Sequence, residues 1–290
     1  MLVVKQGLSL FMLGVVLYGC KPLQQSQDSL GLLAAAGLSD TFGGYQVSAT
    51  AQPTLVAWGQ QGLCIEGRDF DVIISDRQAD LSVLAIHGGI ISGDAIEPGT
   101  SAIAARMASE LQANLYDFQA HAHADCLGSD PRPVDRRHMN ILHITATNFD
   151  EPRALALVGA HNRAIAIHGF EYRPGKPTDL DVICVGGAKN DVLVDRFIAA
   201  MNAQSNAARA EGFQLTPVDA RSGHDTNGYC SGLGGESLAN IVNRNARHSG
   251  LQLEMSRRIR DALADPQQAA SRVRLWGALM AAVRATLAPQ

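Results

Sequence analysis

The sequence predicts an α/β protein, a single domain with a mixed, mostly parallel sheet flanked by helices. Three observations carry this. From about residue 80 onward, short runs rich in β-branched residues alternate with stretches of helical periodicity. The strand-like runs are continuously apolar, as expected of strands covered on both faces. The chain has 290 residues, 46% of them hydrophobic, with a formal net charge of -4 and a mean hydropathy of +0.00. That composition supports one large buried core and is unlike a disordered or fibrous chain.

The elements follow in order. The strand "LSVLAI" (81–86) runs into His87, Gly88 and Gly89, and the helical stretch "TSAIAARMASELQ" begins after Pro98-Gly99, with Thr100 or Ser101 placed to cap it. "NLYDF" and "ILHITAT" follow as strands, the second carrying His143. "EPRALALVGAH" is a helix that Asn148, Asp150 or Glu151 can cap. "RAIAIHGF" and "LDVICVGG" are strands, and "KNDVLVDRFIAAMNAQ" is a helix. After "GFQLTP" and "SLANIVNRNA" come the strand "GLQLEMS" and a C-terminal helix pair. The second of these helices aligns Val273, Leu275, Trp276, Leu279, Met280, Val283 and Leu287 on one face, which reads as core packing. No internal repeat or second domain is visible.

The amino terminus, "MLVVKQGLSLFMLGVVLYGCKPLQQSQ", has one early cation, Lys5, and an apolar run too short to span a membrane comfortably. It reads as a secretory signal. Leu17-Tyr18-Gly19-Cys20 resembles the bacterial lipobox, although Tyr18 is bulkier than usual there, and the resemblance implies lipidation of Cys20. The expected organisation is a lipoprotein signal peptide over 1–20, a tether over 21–40 and one folded domain over 41–290. The expected location is the bacterial cell envelope, lipid-anchored at the outer membrane or facing the periplasm. An ordinary signal peptide or a buried helix is the alternative. An exported chain can form disulfides, and Cys64, Cys126, Cys184 and Cys230 allow three pairings that sequence cannot distinguish. The mildly negative charge lacks the basic footprint of a nucleic-acid binder.

The chemistry concentrates at strand ends. In α/β sheets ligands sit beyond the carboxyl ends of strands, where His87 and His168 are both delivered, each followed by glycine. With Glu97 they form the two-histidine, one-carboxylate set of a catalytic zinc, which leaves a fourth position open. Glu254 lies in an otherwise apolar strand, where an unpaired carboxylate is costly, and a general base beside the metal explains it. His143 reads as a core histidine or one near the metal. His121, His123 and Asp125 in "HAHADC" read as loop residues, and His224 and Asp225 occupy a glycine-rich loop. A serine hydrolase finds no G-x-S-x-G elbow, and "GLGGES" lacks the lysine of a phosphate-binding loop.

Taken in order, "AIHGG", "IEPGTSAIA", "LHITATNFDEP", "AIAIHGF", "VICVGG", "NIVNR" and "GLQLEMSRRIR" resemble the poly-γ-glutamate hydrolase family over about residues 55 to 262. The resemblance implies a compact, zinc carboxypeptidase-like fold, with zinc held by His87, Glu97 and His168 and Glu254 as the base acting on the attacking water. It implies amide hydrolysis, and a γ-glutamyl substrate exposes carboxylates that a cation should bind. Arg244 is the candidate clamp, with Asn240 orienting it and His143 orienting water or substrate. One departure is an insertion, "IISGDA", between the glycines and Ile96-Glu97. It introduces Asp94 as a rival ligand, although Glu97 keeps its whole local context. The expected substrate is a γ-glutamyl polymer. A wall-peptide hydrolase acting on γ-linked glutamate is the alternative enzyme, and a catalytically silent envelope-binding lipoprotein is the alternative outside enzymology.

Overall fold

The computed structural model describes residues 66–67, 69–89, 97–120, 142–170, 181–189, 191–225 and 228–289. The signal peptide, Cys20, the tether, Cys64, Asp94, Cys126 and the "HAHADC" cluster lie outside the described residues. Seven strands form one sheet: β1 (Phe70–Ser75), β2 (Leu81–Gly89), β3 (Asn114–Ala120), β4 (Arg163–Phe170), β5 (Val182–Gly187), β6 (Thr216–Asp219) and β7 (Gly250–Ser256). Their spatial order is β1-β3-β2-β4-β7-β5-β6. The central four, β3-β2-β4-β7, pair in parallel, β1 and β5 pair antiparallel to their inner neighbours, and β6 pairs in parallel with β5. The result is the predicted mixed, mostly parallel sheet with helices around it.

Among the described residues, seven helices accompany the sheet: α1 (Thr100–Leu111), α2 (Pro152–Gly159), α3 (Val192–Ala203), α4 (Ser205–Arg209), α5 (Arg257–Ala264), α6 (Pro266–Ser271) and α7 (Val273–Leu287). Strand alternation sorts the core into two faces. Val83, Ala85, Ile165, Ile167, Leu251 and Leu253 join residues of α1, α3, α5 and α7 in one cluster. Leu84, Ile86, Ala164 and Ala166 face the other way, under α2, the 142–149 segment and a short 3-10 turn at Ile241–Asn243. Burial of each valine, leucine or isoleucine among them contributes about 1.5–3 kcal/mol.

Several local expectations change. Neither Thr100 nor Ser101 caps α1: the Thr100 hydroxyl donates to the Glu97 carbonyl at 2.9 Å, and Ser101 donates to the buried Asp117 carboxylate at 2.7 Å. Both hydroxyls are used to fix the loop and the neighbouring strand. Residues 142–147 are not a strand. Leu142, Ile144 and Phe149 are buried as an apolar strand would bury them, but the carbonyls go singly to the side chains of His87 and Arg244 and to the backbone amides of Asn148 and Ile241, and not to a strand ladder. The C-terminal helical stretch breaks at Arg272 into α6 and α7. Val273, at the start of α7, is 64% exposed, whereas the middle of its stripe is buried as expected. Glu151 caps α2, accepting from the Ala154 amide at 2.9 Å. The edge strand β1 precedes the region where the apolar periodicity becomes legible.

Candidate metal centre

His168 and Glu254 occupy even-numbered positions on β4 and β7, on the face opposite the large helix cluster, and their Cα atoms are register partners. His87 belongs by number to the wrong face, since Val83 and Ala85 lie in the helix cluster. A bulge corrects it. The pairing of β2 with β3 runs from Ala85 opposite Asp117 to Gly88 opposite Gln119, which inserts one extra residue on β2 around His87. A one-residue slip moves a side chain to the other face, and the His87 ring lies 4.0 Å from that of His143 and 4.8 Å from that of His168. The two glycines make the bulge possible. A Cβ on Gly88 would lie 1.9 Å from the Ser101 hydroxyl, and Gly89, at φ +82, would place one 2.2 Å from the Ala120 carbonyl.

Glu97 is the hub. Its Oε1 lies 2.7 Å from His87 Nδ1 and 3.2 Å from His143 Nε2, and its Oε2 accepts from the Gly169 amide at 2.8 Å and lies 3.5 Å from His168 Nδ1. The Nδ1 atoms of His87 and His168 are 3.1 Å apart. Despite the insertion, Glu97 therefore stands beside both histidines. His87, Glu97 and His168 are buried, and their ligand atoms lie within 4.8 Å of one another, so the group can hold a metal ion.

The chemistry of the donor set fits a cation. His87 Nε2 donates to the Ile144 carbonyl at 2.8 Å, so its proton is fixed there. Burial holds the His87 pKa down at about 4 against the pull of Glu97, which leaves the ring neutral and its Nδ1 a bare lone pair. That lone pair faces a carboxylate and a second imidazole nitrogen. Donor atoms around a tetrahedral ion with bonds of about 2.0–2.1 Å are themselves about 3.3 Å apart, close to the separations here. Burial would raise Glu97, but hydrogen bonds from His143 and His168, with the charge on His168, hold its carboxyl well below the usual range. Burial also opposes charge on His168, yet Glu254 and Glu97 push its pKa up to about 9. Two buried carboxylates thus call for positive charge, which a proton on His168 or a divalent cation satisfies.

Glu254 is buried, and burial pushes its pKa up to about 7, with Glu97 adding to the shift. Its Oε1 accepts from Gln252 Nε2 at 2.8 Å, and Gln252 Oε1 accepts from Asn240 Nδ2 at 2.8 Å. Gln252 also donates to the Leu233 carbonyl. Asn240 is therefore linked to Glu254 through Gln252, while its own Oδ1 accepts from Val242 to start the 3-10 turn. Gln252 had a signal in the sequence: it is a polar residue of "GLQLEMS" on the same side as Glu254, two positions before it.

Arg244 is held by backbone carbonyls. Its guanidinium donates to the carbonyls of Ala239 at 2.7 Å, Thr147 at 2.8 Å and Phe149 at 3.2 Å, tying the 142–149 segment to the 3-10 turn. Asn240 contacts Gln252 and not Arg244 in this set of bonds. His224 is 55% exposed and pairs with Asp219 at 2.9 Å, and Asp225 accepts from the amides of Gly228 and Cys230. Of the open cysteine pairings the structure contains Cys184–Cys230.

Comparison with known proteins agrees with this geometry. The family model described as poly-gamma-glutamate hydrolase matches residues 63–281. Among curated proteins, YndL of Bacillus subtilis (strain 168) is 30% identical over 195 residues, covering 67% of this chain and 60% of its own length. The SPbeta prophage-derived protein YoqZ of the same organism is 30% identical over 187 residues, covering 64% of this chain and 53% of its own length. The matches thus span little more than half of these relatives. Among solved structures, a bacteriophage poly-gamma-glutamate hydrolase superposes with a TM-score of 0.54 at 22% identity, covering 80% of this chain and 95% of that one. A zinc-free structure of YndL gives a TM-score of 0.51 at 22% identity, covering 79% and 96%. These two show a shared fold, and the family match over three quarters of the sequence shows that the chain belongs to the poly-γ-glutamate hydrolase family.

Proposed function

We propose that this protein is a zinc-dependent hydrolase of γ-glutamyl amide bonds. The observation that carries the reading is the buried His87-Glu97-His168 group with Glu254 one strand away from His168. Zinc is favoured by the two-imidazole, one-carboxylate donor set, and a related structure is named as zinc-free. A bound zinc supplies a Lewis acid for the scissile carbonyl and the attacking water. Glu254 takes a proton from that water as the new C–O bond forms, and returns it to the departing amine as the C–N bond breaks. Its elevated pKa suits both halves of this exchange. Gln252 holds the carboxylate in one orientation during the transfer. His143 is the least buried of the three clustered imidazoles and is the one placed to orient substrate. A catalytically silent role would follow from an insertion that displaced Glu97, and Glu97 instead lies among the histidines.

The envelope location belongs to the same proposal. The signal-like pattern over residues 1–20, with Cys20 as the lipid-bearing residue, supports it, as does the Cys184–Cys230 disulfide, which suits an oxidising compartment. The substrate is tested by incubating purified protein and zinc with poly-γ-glutamate and, separately, with wall peptides containing γ-linked glutamate. Shortening of the polymer with release of new amines is expected. Cleavage of wall peptides alone reassigns the substrate, and cleavage of neither by zinc-loaded protein contradicts the hydrolase reading.

A further inference from the structure

Arg260 is fully buried and is the largest such side chain among the described residues. It lies in the first turn of α5, immediately after the strand that carries Glu254. A buried guanidinium is costly unless its donors are satisfied, and here backbone carbonyls do so. Nε donates to Met255 at 3.1 Å, Nη1 to Pro98 at 3.0 Å and Nη2 to Phe170 at 3.4 Å.

Those three acceptors are not an arbitrary set. Pro98 follows Glu97, Met255 follows Glu254, and Phe170 stands two residues after His168. One rigid fork therefore reaches both segments that deliver a carboxylate to the site and one of the three that deliver an imidazole. Gly169 makes the approach possible, since a Cβ there would lie 2.4 Å from Arg260 Cζ and Nε. The Gly169 amide in turn donates to Glu97 at 2.8 Å, which closes the arrangement from the other side.

We infer that Arg260 is a positioning residue for the metal centre, a buried staple that fixes the spacing of Glu97, His168 and Glu254 from behind. The inference rests on the metal-dependent reading above. A guanidinium suits this task better than an ammonium because its planar fork addresses three carbonyls at fixed angles. Residues that orient metal ligands typically change metal affinity by about 10–100-fold when altered.

The test compares zinc binding by wild type, Arg260→Lys and Leu279→Ala, the last a core truncation on α7 that lowers stability without touching the staple. Arg260→Lys is expected to weaken the zinc Kd by about 10–100-fold while Leu279→Ala leaves it within about twofold. Equal weakening in both variants, or wild-type affinity in folded Arg260→Lys, overturns the inference. Hydrogen exchange on the metal-free wild type keeps the question decidable if Arg260→Lys does not fold. The peptides around Pro98, Phe170 and Met255 should then open as one cooperative unit, and independent opening overturns the staple. A folded wild type that binds no zinc defeats the hydrolase reading instead, and the exchange result still judges the staple.

Discussion

His168 and Glu254 are lateral neighbours, Cα opposite Cα across the parallel pair β4 and β7, and Cys184 continues the row on β5. Adjacent strands lie about 4.8 Å apart, so the sheet itself sets the distance between His168, the proposed metal ligand, and Glu254, the proposed base. Glu254→Gln keeps the shape of the side chain and removes its proton affinity. We expect kcat to fall by about 10²–10⁴ with zinc content unchanged, measured on the same preparation. A loss of zinc with activity would make Glu254 a ligand and not a base.

Gln252 donates to the carboxylate of Glu254 and so favours its ionised form. Without that donor the pKa of Glu254 rises. The base must be ionised to act, so activity is lost as pH falls through its pKa, and a higher pKa moves that loss upward. In Gln252→Leu the acid limb of kcat/KM should shift to higher pH, with activity recovering toward the wild-type value in alkaline solution. A uniform loss at every pH would indicate a packing defect alone. The variant also leaves the Asn240 amide without this acceptor, at a stability cost of about 1–3 kcal/mol.

His168 has its pKa pushed up to about 9 in the metal-free protein by Glu254 and Glu97 against the effect of burial. Below that pH it carries a proton, and zinc binds only the neutral imidazole. Zinc binding near pH 7 should therefore release a proton, and apparent affinity should fall by up to about tenfold per unit as pH is lowered. Calorimetry in buffers of different ionisation enthalpy checks this. Binding enthalpy independent of buffer would contradict the assigned charge state.

The Cys184–Cys230 bridge spans a sequence separation of 46 and fastens β5 to the loop that contains Leu233. Closing such a loop typically contributes about 2–4 kcal/mol. The double variant Cys184→Ala/Cys230→Ala should melt roughly 4–16 °C lower. A Tm unchanged by the variant would mean that the bridge adds nothing to the fold.

What sequence could and could not disclose follows from the physics of each element. His168 and Glu254 are legible because each interrupts an apolar strand at or near its end, where a polar group needs a reason. His87 is legible as a residue type at a strand end, but its direction is not, because a bulge depends on pairing with β3. Gln252 shares the inward face of β7 with Glu254 and could have been read by the same rule. Arg260 could not, since "SRRIR" has the look of a solvated helix start and its carbonyl partners lie as far as 162 residues away. The 142–149 segment misleads because burial of Leu142, Ile144 and Phe149 imitates a strand. Its carbonyls, shared out among side chains and single backbone amides, reveal otherwise.

The central claim is that His87, Glu97 and His168 hold one catalytic zinc. Elemental analysis of the purified protein tests it most directly, comparing wild type with His168→Ala after equilibration with limiting zinc. The account predicts about one zinc per wild-type chain and loss of it in the variant, with both remaining folded by circular dichroism. A folded wild type without zinc, or a His168→Ala variant that keeps it, would contradict the account.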